Sequence, residues 1–416
     1  MTETAPRKPA LRFIFITLVL LVLGFGIIIP VLPNLVTQFE GGSVSEGSSW
    51  FGWLIGVFAL MQFFGSPILG ALSDRFGRRR VILIALAGSG IDLMMMGLAP
   101  NLAWLFVARI IAGLTAGAMA TCNAYIADVT SAENRAQGFG LVGAAFGLGF
   151  VIGPAIGGVL GHINLRLPFF VAAGCVAVNW IYGMVVLPES LPLDKRRAFE
   201  WKRANPVGAL LVLRRFRGVF DLAGMYFTLM FGTVMLQSTW VLYTGYRYGW
   251  STRDVGLSLM FVGITSAIVQ GRLVRPLLGW IGEQRGLVIG LLGSAAVMVG
   301  YGLATRGWMI YALVVVGALV GISGPAAQSL ITRHVPADEQ GAVQGSLASL
   351  TSLAGIFAPP LAAWSFGACI APGGRWHLPG IAFFEAAALL LVALGLALRS
   401  FRIDAAAERA TPAVVP

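Results

Sequence analysis

The amino-acid sequence predicts an all-α membrane protein, with twelve transmembrane helices in two six-helix bundles. Three observations lead there. Hydrophobic residues make up 57% of the 416 and charged residues 11%, with a mean hydropathy of +0.82, roughly half the charge of an average soluble protein. Uncharged, mainly apolar stretches of about twenty residues recur along the chain, each long enough to cross a roughly 30 Å hydrocarbon core as a helix. A single long basic connection divides these stretches six and six.

The expected spans are 11–33, 50–72, 81–99, 102–124, 138–161, 167–187, 219–243, 254–274, 286–304, 307–329, 342–366 and 379–399. Runs such as "LRFIFITLVLLVLGFGIII" do not alternate apolar with polar, which excludes the short strands of a membrane β-barrel. The domains follow: a first bundle over 1–187, a linker over 188–218, a second bundle over 219–402 and a tail over 403–416.

Charge sets the orientation. With both termini and the even-to-odd connections on one side, 23 Lys and Arg residues collect there, 5 lie opposite, and Arg109 sits within a helix. The basic side is cytoplasmic by the positive-inside rule. The net charge of +11 is mostly this bias, with attraction to anionic lipid, and no soluble domain remains to carry a nucleic-acid surface. The basic start, "MTETAPRKPALRFIF", leads into a run too long for a secretory signal and without a clear A-x-A site, so it reads as an uncleaved first helix. Cys122, Cys175 and Cys369 are widely spaced and there are three histidines, which makes no case for a disulfide framework or a structural metal.

The longest connection, Pro188 to Gly218, carries eight basic residues and reads as a cytoplasmic linker held near anionic headgroups. The two halves are weakly repeated. "GALSDRFGRRRVILIAL" (70–86) lies over "RPLLGWIGEQRGLVIGL" (275–291) at one constant offset, matching Gly77 with Gly282 and Arg80 with Arg285, while the acidic residue is lost in the second copy. "GFVIGPAIGG" (149–158) has a degraded counterpart in "GIFAPPLAA" (355–363). Duplicated bundles of this kind are what rocking-bundle transporters are built from.

"GALSDRFGRRRV" after helix 2 resembles the helix 2–3 loop signature of the major facilitator superfamily, and "GFVIGPAIGG" resembles the antiporter signature of its drug-efflux branch. More narrowly, "GFGIIIPVLP" (24–33), "RIIAGLTAGAMATCNAYIADVTS" (109–131), "WVLYTGYRYGWSTRDVGLSL" (240–259) and "EQGAVQGSLASLTSLAGIFAPPL" (339–361) resemble the tetracycline/proton antiporter (Tet) family, from about residue 11 to 399. The resemblance implies a cytoplasmic gate of Asp74, Arg75, Arg78 and Asp128. In it Asp74 docks on the start of helix 11 near Gly341, and Arg78 pairs with Asp128 at the end of helix 4. A carboxylate at a helix's positive end gains about 0.3 to 1 kcal/mol exposed and up to roughly 2 when partly buried, a scale suited to a gate that must open. In helix 5, Gly149, Gly153 and Gly157 follow a four-residue spacing that makes one smooth face, Pro154 removes a backbone donor, and Gly158 completes the antiporter motif.

Asp92, in "GSGIDLMMMG", is the twelfth residue of the third span and lies about 17 Å from its cytoplasmic end, near mid-depth. A charge there costs at least about 2.5 to 3.5 kcal/mol unless it faces a cavity or a partner. Helices 3 and 4 form a tight hairpin about Pro100 and Asn101, and Arg109 is equidistant from that turn, so the two are expected at similar depth and coupled. Two roles stay open for the pair. Asp92 is either a structural ion-pair partner that stays ionised, or a transport carboxylate in a water-accessible cavity whose protonation changes which way the carrier faces. The Tet resemblance implies the second.

Where the Tet pattern carries an aspartate in helix 1, an aspartate in helix 9 and a histidine in helix 8, this chain has Leu21, Ser294 and Ser266. Those departures bear on tetracycline-magnesium as substrate and on the family's proton pathway. Glu385, in "GIAFFEAAALLL", lies roughly 9 Å below the periplasmic edge. It is either a replacement proton site or a carboxylate bonded within the second bundle. Candidate cavity residues are Gln62, Asn123, Gln237, Trp240, Gln270 and Gln328, polar or aromatic groups in apolar surroundings that suit an amphipathic, ring-bearing ligand.

The expected function is secondary active efflux by alternating access, exchanging protons for a hydrophobic or amphipathic drug, with tetracycline a candidate. The alternative is a proton-coupled metabolite transporter, and the reading from another class is a membrane receptor. The chain has no GxxxxGK[ST] loop for direct ATP use and no HExxH or GxSxG constellation, so it is not expected to be an enzyme. No resident cofactor or protein-bound metal is expected. The proton gradient drives the cycle, and Mg2+ enters only as part of a tetracycline complex. Expected partners are the small-molecule substrate, protons and the lipid bilayer. The expected form is a monomer in a bacterial inner membrane with both termini cytoplasmic.

Overall fold

A computed structural model of the chain describes residues 8–131, 135–201, 205–213, 219–333, 335–336, 339–372 and 377–410. Parts of the expected linker, 202–204 and 214–218, and the last six residues of the expected tail lie outside the described residues. The described residues form helices and connections without strands. Twelve helical segments are long and apolar enough to cross a membrane: α1 (Arg12–Phe39), α2 (Val44–Phe76), α3 (Arg78–Leu98), α4 (Leu102–Val129), α5 (Gly140–Ile163), α6 (Leu167–Val186), α7 (Phe220–Tyr248), α8 (Thr252–Ile281), α9 (Glu283–Leu303), α10 (Gly307–Arg333), α11 (Val343–Ile370) and α12 (Ile381–Ile403). Large apolar side chains such as Val185 and Trp280 stand exposed on their outer faces. That is the pattern of helices whose solvent is lipid.

Local chemistry sets the ends. Ser43 caps α2 by accepting from Glu46 N at 3.3 Å, and Asn101 caps α4 by accepting from Trp104 N at 3.1 Å. Ser251 and Asp254 form a reciprocal capping box at the start of α8. The turns that end α2 and open α3, and that end α8 and open α9, both run through a glycine at positive φ, Gly77 at 99° and Gly282 at 79°. A side chain in that conformation is strained.

Four spans are interrupted, which the apolar pattern did not predict. α1 turns at 29–31 and resumes as Leu32–Phe39, so it outlasts its expected end: Pro33 falls in the first turn of the new segment, where a missing N–H costs nothing. α4 breaks between Leu102–Leu114 and Ala118–Val129, and α10 between Gly307–Val320 and Ser323–Arg333, at matching places in the two repeats. α8 passes through a π-turn at Val269–Leu273, just before Pro276, which lacks the N–H a regular turn would use.

By packing, the chain divides into two compact units. One is Met1–Asn205 with Val241–Ile264, the other Pro206–Trp240 with Thr265–Pro416. The expected linker is thus shared, and it is not featureless: Pro206–Val212 is a short helix that packs on α11 within the second unit.

In the first unit α1 and α5 interlock through glycines. A Cβ on Gly153 would lie 2.8 Å from Leu23 O and 2.9 Å from Gly26 Cα, one on Gly149 2.7 Å from Val22 Cβ, and one on Gly157 would strike Ile27 O. Gly158 turns to another neighbour, where a Cβ would be 2.9 Å from Gly256 Cα at the start of α8. The antiporter motif is therefore a two-sided seam, and Pro154 lies in it against Gly26. α2 meets α4 as closely, with a Cβ on Gly65 only 2.8 Å from Leu114 O. In the second unit α9 packs on α12 and α10, and Gly302 meets Gly380 where a Cβ on Gly380 would be 2.6 Å from Gly302 Cα.

Gly153→Ala is expected to destabilise the protein by about 1 to 3 kcal/mol, the usual cost of overpacking. Gly24→Ala, on the same α1 but with nothing within 4 Å of an added Cβ, is expected to leave stability unchanged. Thermal melts of detergent-solubilised protein followed by size-exclusion chromatography distinguish the two.

Candidate functional site

The α3–α4 hairpin brings its two buried charges together. The cap at Asn101 makes the turn tight, so residues at equal distances from it meet, and Arg109 Nη2 donates to Asp92 Oδ2 in a direct ion pair. Both residues are only 4% exposed. The guanidinium lies over the Phe58 ring of α2, 5.3 Å from Cζ to the centroid, a favourable cation–π placement. The pairing is single-pointed: Asp92 Oδ1 and Arg109 Nε are buried with no hydrogen-bond partner among the described residues. A buried charge pair held by one bond instead of a bidentate fork leaves polar groups unsatisfied, and such groups call for a functional account. The guanidinium stays charged whatever the state of the carboxylate, so Asp92 is the member of the pair that can gain a proton.

Gln62 is half-buried on α2, and its backbone N lies 3.1 Å from the position of a Cβ on Gly113, one turn beyond Arg109. Asn123 is half-buried on α4, with its Oδ1 lacking a partner among the described residues. Thr17 of α1 donates to Asn179 of α6 at 3.2 Å, a buried pair not singled out from the sequence, where neither residue stands out by charge. In the second unit Trp240 is buried and packs edge-on against Tyr301, with centroids 5.3 Å apart. Gln237 and Gln270 are exposed, Gln270 within the π-turn of α8, and Gln328 donates to Gln344 of α11 at 2.9 Å. Glu385 accepts from Ser365 of α11 at 2.8 Å, a bond within its own unit.

The connection between α2 and α3 is densely tied. Arg78 Nη1 pairs with Asp74 at 2.6 Å and Arg78 Nε with Asp128 at 3.1 Å, so the pairing that the resemblance implies for Arg78 and Asp128 is present. Arg75 is exposed and lies over the neighbouring Phe76 ring. Residues that sequence reasoning missed complete this cluster. Glu189 accepts from Arg78 N at 2.8 Å, Ser190 Oγ donates to Asp128 at 3.1 Å, and Arg197 N donates to Asp74 O at 3.1 Å. Glu189 thereby supplies the acceptor that Gly77, the residue before α3, has no side chain to give. The only sequence signal was an acid just after α6 on the same side of the membrane.

Twelve spans in two repeats of six, with a buried acid–base pair in the third and fourth, define a secondary-carrier fold. The chain belongs to the major facilitator superfamily, whose profile matches residues 14–359. It is 38% identical to the class C tetracycline resistance protein of Escherichia coli over 92% of this chain and 95% of that one. It is 28% identical to Multidrug resistance protein 2 of Bacillus subtilis (strain 168) over 92% and 94%. Among solved structures, the human organic anion transporter MFSD10 (TETRAN) is similar with a TM-score of 0.70 at 25% identity, over 95% of this chain and all of that one. A D-xylose-proton symporter shares the fold with a TM-score of 0.72 at 18% identity, over 94% and 97%.

Glu189→Ala removes the cap on α3 and is expected to cost about 0.5 to 2 kcal/mol. It should also speed trypsin cleavage at Arg78–Arg80, the first turn of α3, in everted vesicles, read by gel. An unchanged cleavage rate and melting temperature would show that the linker acid holds nothing in place.

Proposed function

We propose that the chain is a secondary active exporter that exchanges protons for a hydrophobic or amphipathic drug by alternating access. The carrying observation is the buried, half-satisfied Asp92–Arg109 pair inside a chain whose relatives include tetracycline and multidrug resistance proteins. With Asp92 ionised, Arg109 is held on α3. When Asp92 takes a proton the attraction is lost, Arg109 is left charged in a low-dielectric site, and the hairpin is driven to rearrange. Leaving one member of a buried pair uncompensated costs about 3 to 5 kcal/mol, of the order needed to move a two-state carrier from one orientation to the other.

Within this reading Gln62 and Asn123 face the substrate path of the first bundle, with Gln237, Trp240, Gln270 and Gln328 serving the second. The gate of Asp74, Arg75, Arg78 and Asp128 closes on the start of α11 near Gly341. Glu385 is a second candidate proton site. Tetracycline is a candidate substrate, and Mg2+ would arrive with it as cargo. The protein works as a monomer in a bacterial inner membrane with both termini in the cytoplasm, and it performs no catalysis.

Everted vesicles preloaded by an inside-acid gradient test the proposal. Addition of tetracycline or another amphipathic drug is expected to release protons, and Asp92→Asn is expected to lower that release at least about tenfold, equivalent to 1.4 kcal/mol, while direct drug binding survives. No response to a broad drug panel, or a response to sugars or nucleosides only, would move the protein to metabolite transport. Full coupling in Asp92→Asn would remove that residue from the proton path.

A further inference from the structure

The second repeat carries its own loop-to-helix ion pair with the charges exchanged. At the constant offset that lays Gly77 over Gly282, Arg78 falls on Glu283 and Asp128 on Arg333. Arg78 Nε pairs with Asp128 at 3.1 Å in the first unit, and Arg333 Nη2 pairs with Glu283 Oε1 at 2.9 Å in the second. Both pairs join the first residue of a helix that follows a positive-φ glycine to the cytoplasmic end of the next span. Ser329 adds a hydrogen bond to Glu283 Oε1 at 2.8 Å, and Glu283 is well covered, with its side chain 19% exposed.

The exchange of sign is not neutral, because each residue sits at a helix end. A helix N-terminus favours an anion and a C-terminus a cation. Glu283 at the start of α9 and Arg333 at the end of α10 are both on their favoured ends. Arg78 at the start of α3 and Asp128 at the end of α4 are both on the disfavoured ones. That difference accounts for Glu189: the first unit needs an outside carboxylate on the Arg78 N–H, whereas Glu283 brings its own to the matching position.

We propose that Glu283 and Arg333 are positioning residues, a second cytoplasmic clasp of reversed polarity that stays closed through the cycle while the dipole-opposed Arg78–Asp128 pair is the one that opens. The clasp fixes the cytoplasmic end of α10, and with it the Gln328–Gln344 bond to α11, so that α9, α10 and α11 move as one body.

The test uses the full-length protein in everted vesicles, with Cys122, Cys175 and Cys369 replaced by alanine and Ile331, fully buried near the end of α10, replaced by cysteine. Labelling of that cysteine by an impermeant maleimide needs no substrate, so it reads the clasp even where the drug-efflux proposal fails. Glu283→Gln and Arg333→Gln are each expected to speed labelling at least fivefold and to lower the maximal drug-dependent proton release per molecule about fivefold, with KM within twofold. The exchange Glu283→Arg with Arg333→Glu re-forms the pair on the disfavoured ends and is expected to recover only part of the loss. Singles that label and transport like the parent overturn the proposal, as do singles that only lower the amount of protein in the membrane, and so does an exchanged pair that recovers fully. Where Glu283→Gln does not accumulate, Glu283→Asp at normal abundance decides by the same labelling ratio.

Discussion

The constraint on which the rest of this structure depends is that a carboxylate and a guanidinium are held together at mid-depth in a medium that tolerates neither alone. In hydrocarbon each charge needs a partner within hydrogen-bonding reach, and the α3–α4 hairpin supplies it by geometry, with two residues equidistant from one capped turn. Much of the first unit serves that arrangement. Gly88 lets α3 lie against Thr115, where α4 breaks, and Gly65 and Gly113 let α2 lie against α4 closely enough for Phe58 to cover Arg109. A larger side chain at any of these contacts would part helices whose separation sets the length of the ion pair.

The same small-residue logic extends outward. Lipid removes the hydrophobic drive for one helix to prefer another, so close backbone approach and van der Waals contact decide which helices pair. The antiporter motif uses this twice, with Gly149, Gly153 and Gly157 on α1 and Gly158 on Gly256 of α8.

What the sequence discloses and what it conceals follow from range. The twelve spans are legible because apolar runs of membrane length have no competing explanation in so uncharged a chain, and the Asp92–Arg109 pairing is legible because a hairpin is a local object. The breaks in α4 and α10 are not, since Thr115–Gly117 and the matching turn in α10 contain no proline and no charge. Glu189 is hidden because a basic linker reads as a tether, and its role exists only through a helix start more than a hundred residues earlier. Glu283 lies within the repeat that the sequence itself displays, but the reversed sign makes it look like the decay of a motif.

That reversal bears on how a duplicated carrier becomes directional. Two identical halves would have two equal clasps and no reason for one to yield first. Here the first half carries its gate charges on the helix ends that oppose them and borrows an acid from the linker to hold them, while the second half has the charges where the helix dipoles favour them. The first half also holds the buried acid–base pair, so that pair and the dipole-opposed loop pair lie in one unit. On the proposed reading, protonation of Asp92 would act within the same unit as the loop pair that the helix ends oppose, so the acid and the charges most easily parted share one half of the chain.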